Sequence, residues 1–303
     1  MKEMHFDHRT VRQLMLFATV TQERSLRRAA KRLNMSVPPL ASQLDELEGR
    51  LKLKLLERTP RGIRLTDHGK ALLPMVNTFV AQAEVLEFSV KQLQAETQGV
   101  ITVGANAEAM MFHIPKLKNR LAVYAPGISL FVKELDSCEV EDQLGEGTVS
   151  MAIAFFDSVA DPRLSMITLT REKPNVLLNQ NHPLCASKEL YIRDLSRENF
   201  VFARRAVSPS LFDGLINFCK EQGGFMPKVV HEVESSPRQM GFVSCGQGIA
   251  FLPKSFKNWV PEYVVAKEIA DATACLPLSV AWNSQRSSPM RDTAIKILKD
   301  IFA

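Results

Sequence analysis

Cysteine is scarce in this chain. The five present, Cys138, Cys185, Cys219, Cys245 and Cys275, are odd in number and far apart, which argues against a disulfide framework or a tetrahedral zinc site. A reducing, cytoplasmic setting fits best. No apolar run approaches the roughly 18–20 residues a membrane helix needs, so a transmembrane protein is excluded. The opening stretch MKEMHFDHRTVRQ has no apolar core ahead of a small-residue cleavage site, so no secretory signal is expected. Gly246-Gln247-Gly248 is too short for a dinucleotide fingerprint. His5, His8, His68, His113, His182 and His231 show no metal-ligand spacing, and no Ser-His-Asp or paired-carboxylate arrangement stands out. An enzyme, such as a two-lobed transferase with a basic surface, would need a catalytic constellation. None is offered, and no catalytic residue, metal or cofactor is expected.

What is present is ordinary globular material, unevenly charged. Of 303 residues 46% are hydrophobic and 23% charged, which excludes a disordered or fibrous chain, and the length implies two or three compact units. Residues 1–65 hold 14 Lys and Arg against 7 Asp and Glu, whereas the remainder holds 24 against 26. The excess positive charge therefore lies in the first fifth of the chain. A small basic head before a near-neutral body is what phosphate neutralisation requires, although a solvated basic surface without a partner would look the same.

Apolar spacing predicts a first helix over about residues 9–23, through Val11, Leu14, Met15, Ala18 and Val20. Ser25 stands as the N-cap of a second helix, in which Ala29 and Ala30 allow close approach. After a turn at Asn34-Met35, Ser36 opens a third helix to about Gly49. Val37, Leu40, Leu44, Leu47 and Leu51 share its buried stripe, leaving Pro38, Pro39, Ser42, Gln43, Asp45 and Glu46 outward. Two short helices joined by a tight turn, the second with a polar outer face, form a helix-turn-helix. Residues 55–66 read as strand, turn, strand, a wing with Arg58, Arg61 and Arg64 near its tip.

The run Ser25-Leu26-x-x-Ala29-Ala30-x-x-Leu33-x-x-Ser36-x-Pro38-x-Leu40, then Leu47-Glu48, Glu57-Arg58 and Arg64-Leu65-Thr66-x-x-Gly69, resembles the LysR-type bacterial transcriptional regulators. The resemblance covers nearly the whole chain and implies a double-stranded promoter DNA partner. It points to Ser25, Arg27, Arg28, Ser36, Val37, Pro38, Pro39, Ser42 and Gln43, with Arg58, Arg61 and Arg64 of the wing, as the DNA-binding residues. Departures bear on base readout. The family's usual Gln, Pro-Ala and Ser-Arg places are here Val37, Pro39, Ala41 and Ser42. Gln43 is the remaining side chain able to meet a base edge bidentately. Pro38 and Pro39 lack the amides that Ser36 would cap, which leaves its hydroxyl for a phosphate. The expectation is heavier reliance on DNA shape and backbone contacts than in relatives.

From Ala71 to Ala95 only Pro74 interrupts a helical pattern, near the expected start, where proline is tolerated. Leu72, Val76, Phe79, Ala83, Leu86, Val90 and Leu93 follow at intervals of 4, 3, 4, 3, 4 and 3. Such a heptad seam buries itself against a second copy, making this the dimerisation helix; packing on its own body is the alternative. A polar hinge, Gln94–Gly99, follows. Beyond it, strands near 100–104, 128–135, 151–156, 176–178, 200–203, 228–233, 248–253 and 278–282 alternate with helices near 111–124 and 139–144, the pattern of parallel βαβ units.

The resemblance implies that this body is an effector domain similar in fold to periplasmic solute-binding proteins. The expected architecture is α/β: an N-terminal winged helix-turn-helix (1–66), a long linker helix (67–98) and a C-terminal two-lobed periplasmic-binding-protein-like effector domain (99–303). Lobe I is expected over 99–169 and 276–303, lobe II over 170–275. Three strand ends point at the cleft between lobes. They carry Asn106, Ala107 and Glu108; Asp136, Ser137 and Cys138; and Arg204, Val207 and Ser208, with Phe155 as a further effector-binding residue. Helix amides, Ser137, Ser208 and Arg204 favour a small organic anion. Glu108 and Asp136 would repel one, which leaves a zwitterionic or cationic effector open. Some relatives sense oxidants through a cysteine pair; here no two cysteines are near in sequence, and Cys138 beside the expected cleft is the one worth probing. The family's homodimers and homotetramers bend promoter DNA. RNA polymerase is a further candidate partner, and no membrane is.

Overall fold

The computed structural model describes residues 7–59, 62–93 and 99–302. His5, Arg61 and the hinge over 94–98 lie outside the described residues, as do the side chains of Arg58 and Leu93. The chain divides into two compact units, Met1–Phe88 and Ser89–Ala303.

In the first unit, helix α1 (His8–Glu23) starts at Asp7, whose carboxylate accepts from the Thr10 amide at 2.7 Å, and ends where Arg24 turns left-handed. Ser25 caps α2 (Leu26–Arg32) through the Arg28 amide. Ala29 and Ala30 are buried, so α1 and α3 (Val37–Leu51) close over them. Leu40, Leu44 and Leu47 form the buried stripe of α3 against Leu14, Phe17 and Val20 of α1. Strands β1 (Leu56–Thr59) and β2 (Gly62–Leu65) pair antiparallel, with Leu56 opposite Leu65. The wing is pinned to the end of α1: the Ile63 amide donates to the Arg24 carbonyl. A Cβ at Gly62, where φ is +125°, would stand 2.6 Å from that oxygen, so only glycine fits there.

Helix α4 (Asp67–Leu93) opens on Thr66, whose hydroxyl accepts from the Gly69 amide at 3.0 Å and donates to the Lys54 carbonyl at 2.6 Å. A Cβ at Gly69 would lie 2.2 Å from the Leu55 carbonyl, which gives the Thr66-x-x-Gly69 pattern its steric reason. The helix thus begins at Asp67, where the linker helix was expected to open, and Pro74 sits two turns inside it instead of near its start. The Lys70 carbonyl loses its amide partner there, but Lys70 and Pro74 are both exposed, so water can serve it. The seam divides. Leu72 and Val76, with Leu73 and Val80, pack into the helix-turn-helix core. Phe79, Leu86 and Val90 are 42%, 64% and 49% exposed. The root of α4 therefore belongs to the core of the first unit, and no packing boundary falls at residue 66.

In the second unit the chain runs through β3 (Gly99–Ala105), α5 (Ala107–Phe112), α6 (Ile114–Tyr124), β4 (Ile128–Glu134), α7 (Val140–Glu146), β5 (Met151–Phe155) and β6 (Leu164–Glu172). It crosses into β7 (Pro174–Asn179), β8 (Asn199–Ala203), α8 (Pro209–Glu221), β9 (Lys228–Val233), α9 (Ser236–Ser244), β10 (Ala250–Pro253) and β11 (Val264–Glu268). It returns as β12 (Leu276–Asn283) and α10 (Pro289–Phe302). The first sheet has the order β4-β3-β5-β12-β6, with β3 parallel to both neighbours and β12 antiparallel to both of its own. In the second lobe β10-β7-β11 is antiparallel, β8-β9 is parallel, and a Phe200–Ile249 bridge joins them. The sheets are mixed, not uniformly parallel as the strand–helix alternation had implied, because burial pattern reports which face is covered and not strand direction. Strand β6 runs to Glu172, opposite Leu276, so lobe I extends past residue 169 and the crossing falls at Lys173. The single helix expected near 111–124 is two, meeting at His113.

Candidate functional site

The outer face of α3 presents Pro38, Pro39 and Ser42 to solvent, with Val37 and Gln43 half-buried beside them. Ser36 is the N-cap, yet its hydroxyl makes no capping bond, because Pro38 and Pro39 replace the donors it would accept. It is left exposed at the helix start, where a phosphate oxygen would accept its proton. Glu46 does not face outward: it accepts from Arg9 at 2.6 Å and from Arg50 at 3.2 Å. Arg50 also reaches Asp7 at 2.8 Å and so straps α3 to the start of α1. The Thr10 amide first, and then Arg50, hold the Asp7 carboxyl far below the ordinary carboxylate range. Arg27 is exposed and has no ion-pair partner among the described residues. Arg28 donates to the Glu23 carbonyl, and Arg64 lies 3.9 Å from Glu57 across the wing. Exposed pairs of this kind contribute under about 1 kcal/mol, so both arginines remain free to exchange for phosphate.

Behind this face sits a buried strut. Glu48 is 7% exposed, and its Oε1 accepts the Leu55 and Leu56 amides at 2.8 and 3.0 Å while Oε2 takes Lys54 at 2.6 Å. One carboxylate thus ties the recognition helix to the entry of the wing. Burial pushes its pKa up, but Lys54 and the two amides together hold it below the usual value.

In the second unit, two contacts bridge the lobes at the cleft. Ser236 Oγ, at the start of α9, donates to Glu108 in the first turn of α5. The Cys138 amide donates to the Val207 carbonyl at 3.2 Å. Ala107, Ser137 and Val207 are half-buried around them. Ser208, N-cap of α8, is 6% exposed, and its Oγ has no hydrogen-bond partner. Asn106 is occupied, its carbonyl oxygen capping the Ala109 amide at 3.0 Å. Arg204 pairs with Glu234, which it shares with Arg238. Burial, and then the carboxylates of Glu139, Glu134 and Glu108, push the pKa of Asp136 up. The Cys138 thiol is raised too, by burial and by Glu139 and Asp136, the opposite of what a reactive thiolate requires. Phe155 does not line the cleft. It is 1% exposed in the core, paired with Leu278, because its strand is covered on both faces.

Three side chains that the structure brings to these faces escaped the sequence reading. Gln13, fully buried, reaches Gln43 from α1. Glu48 stood only as part of a motif. Ser236 had a legible signal: Ser235-Ser236-Pro237 after a β-branched strand repeats the Ser208-Pro209 helix opening.

A winged helix-turn-helix in one unit and a two-lobed α/β cleft in the other define a DNA-binding protein with a ligand-binding module. Residues 11–70 match the family model described as bacterial regulatory helix-turn-helix protein, lysR family, and residues 94–303 match the LysR substrate binding domain. The chain belongs to the LysR family of transcriptional regulators. It is 29% identical over 249 residues to the HTH-type transcriptional regulator AlsR of Bacillus subtilis (strain 168), covering 82% of each chain. Among solved structures it resembles full-length CbnR complexed with its target DNA, with TM-score 0.79, 19% identity, and coverage of 96% of this chain and 98% of that one. It also resembles the BenM effector binding domain with its effector benzoate, with TM-score 0.60, 19% identity, and coverage of 68% and 93%. At these identities the structural likeness is one of fold. Among the described residues no helix is long and apolar enough to cross a membrane.

Proposed function

We propose that the protein is a cytoplasmic, non-enzymatic regulator that binds promoter DNA as a dimer or tetramer and responds to a small zwitterion held between its effector lobes. The observation that carries the effector reading is the Glu108–Ser236 bridge, which puts a carboxylate of one lobe on a hydroxyl of the other. An ammonium group at Glu108 would compete with Ser236 and change lobe closure. Ser208 Oγ, buried and unpartnered, with the first-turn amides of α8, supplies donors for a carboxylate at the other end. The plain anion favoured from the sequence gives way to a zwitterion because Glu108 and Asp136 add negative charge beside the lobe contacts. Ligand binding biases one closure of the lobes, and that bias changes how the dimers assemble and space their DNA-binding heads. DNA-complexed CbnR supports the DNA-binding half of the reading by family kinship, and benzoate-bound BenM supports a small-molecule effector, without bearing on its charge.

A thermal-shift screen of amino acids, their decarboxylated amines and their deaminated acids tests it. A ligand binding only the native state at 100 times its Kd stabilises by about 2.7 kcal/mol. The amino acids are expected to raise the melting temperature of the effector unit more than either single-charge series, and Glu108→Gln to abolish the difference. Stabilisation by the plain acids alone would contradict the zwitterion.

A further inference from the structure

Gln43 is the amide-bearing side chain on the outer face of α3, and Gln13 decides which part of it a duplex meets. Gln13 is fully buried, and its Nε2 donates to Gln43 Oε1 at 3.1 Å. The Gln13 Oε1 is itself buried without a partner, so the two amides do not form a closed reciprocal pair. One donor runs from α1 to α3 and nothing returns. A buried acceptor left unpaired destabilises, and an apolar residue at position 13 would avoid that cost. The arrangement therefore needs a reason beyond packing.

Bidentate reading of adenine requires the carbonyl oxygen and one N–H of an amide to face the base together, because adenine offers a donor at N6 beside an acceptor at N7. A carbonyl oxygen keeps a second lone pair, but here the oxygen is drawn toward the buried side of α3 by Gln13. The Gln43 Nε2 has no partner among the described residues and is the end left for the groove. Nothing nearby compensates. Val37 and Pro39 occupy two of the helix's other reading positions, and Pro38 and Pro39 have no amide hydrogen to offer.

We propose that Gln43 reads its base pair as a donor only, selecting guanine, whose O6 and N7 are both acceptors, over adenine, and that Gln13 is the positioning residue that enforces this. The inference rests on α3 lying in the major groove.

Selection of bound sequences from a randomised duplex pool by the full chain tests it. The wild type is expected to prefer guanine over adenine by about tenfold at one position of each half-site, a bidentate-scale discrimination. Gln43→Ala is expected to lose preference at that position alone. Gln13→Met conserves volume, removes the orphaned acceptor and deletes the donor, so the fold is retained while Gln43 is freed to turn. Its preference at the same position is expected to move toward adenine, with a helical circular-dichroism spectrum and a cooperative melt reporting an intact head. An adenine preference in the wild type at the Gln43-dependent position overturns the proposal by itself, whatever Gln13→Met does. So does a Gln43→Ala profile identical to wild type, or a Gln13→Met profile that keeps guanine. If no sequence is enriched at all, the groove placement fails and takes the donor-only reading with it.

Discussion

Leu86→Asp is expected to convert the protein to monomers at micromolar concentration and to weaken binding to its promoter by at least about a hundredfold. Leu86 is 64% exposed on α4, on the seam that continues from Phe79 to Val90. A row of exposed apolar side chains of this kind marks an interaction surface. Burying a leucine contributes about 1.5–3 kcal/mol. In a twofold interface each substitution removes that contribution from both copies and places two carboxylates in an apolar contact. The loss, roughly 3–6 kcal/mol before any charge penalty, corresponds to a factor of about 10²–10⁴ in dimer affinity. Promoter affinity falls with it, because a monomer engages one half-site where a dimer engages two. Sedimentation velocity and a gel-shift titration read the two effects. Leu72→Asp, by contrast, is expected to unfold the first unit, since Leu72 packs into the helix-turn-helix core.

Glu48→Ala is expected to destabilise the DNA-binding unit by about 2–5 kcal/mol, the cost of leaving two largely buried amides without an acceptor. Those amides belong to Leu55, 1% exposed, and Leu56. The Lys54 pair adds little, because its ammonium is 75% exposed. Glu48→Gln keeps an acceptor and is expected to lose less. The same carboxylate makes the unit acid-sensitive. Its folded pKa lies below the ordinary 4.5, so its contribution is complete above that value and is lost as pH falls through the folded pKa. Urea midpoints between pH 7 and pH 3 are expected to fall more steeply for the wild type than for Glu48→Gln. Parallel curves would remove Glu48 from the account.

How much of this was legible beforehand follows from what each signal encodes. The three head helices and the wing were readable because their apolar spacing, the Ser25 cap and the arginine-bearing turn are local features. The linker helix starts at residue 67 as expected, but Pro74 lies deeper in it than its apolar pattern from Ala71 suggested, because Thr66 and Gly69 anchor the first turn through Lys54 and Leu55, residues of another element. Strand β6, Leu-Ser-Met-Ile-Thr-Leu-Thr-Arg-Glu, was hidden by its polar alternation, and β11 by its brevity and charges. Asn106, Glu108 and Ser208 lie after strands as their sequence placed them, whereas Phe155 is in the core, because strand position does not tell which face a side chain takes. Gln13 was not singled out, because nothing local marks a polar side chain for burial. Only the packing of α1 on α3 reveals it as buried and bonded to Gln43.

The most direct test of the central claim, a DNA-reading dimer built on α3 and the wing, is a titration against two duplexes of equal length. One is taken from upstream of the chain's own gene, the other is random, and each is measured at about 50 and 200 mM salt. The promoter duplex should be held roughly a thousandfold or more tightly, with both affinities dropping by orders of magnitude as salt rises. Equal retention of the two duplexes, or affinity indifferent to salt, would contradict it.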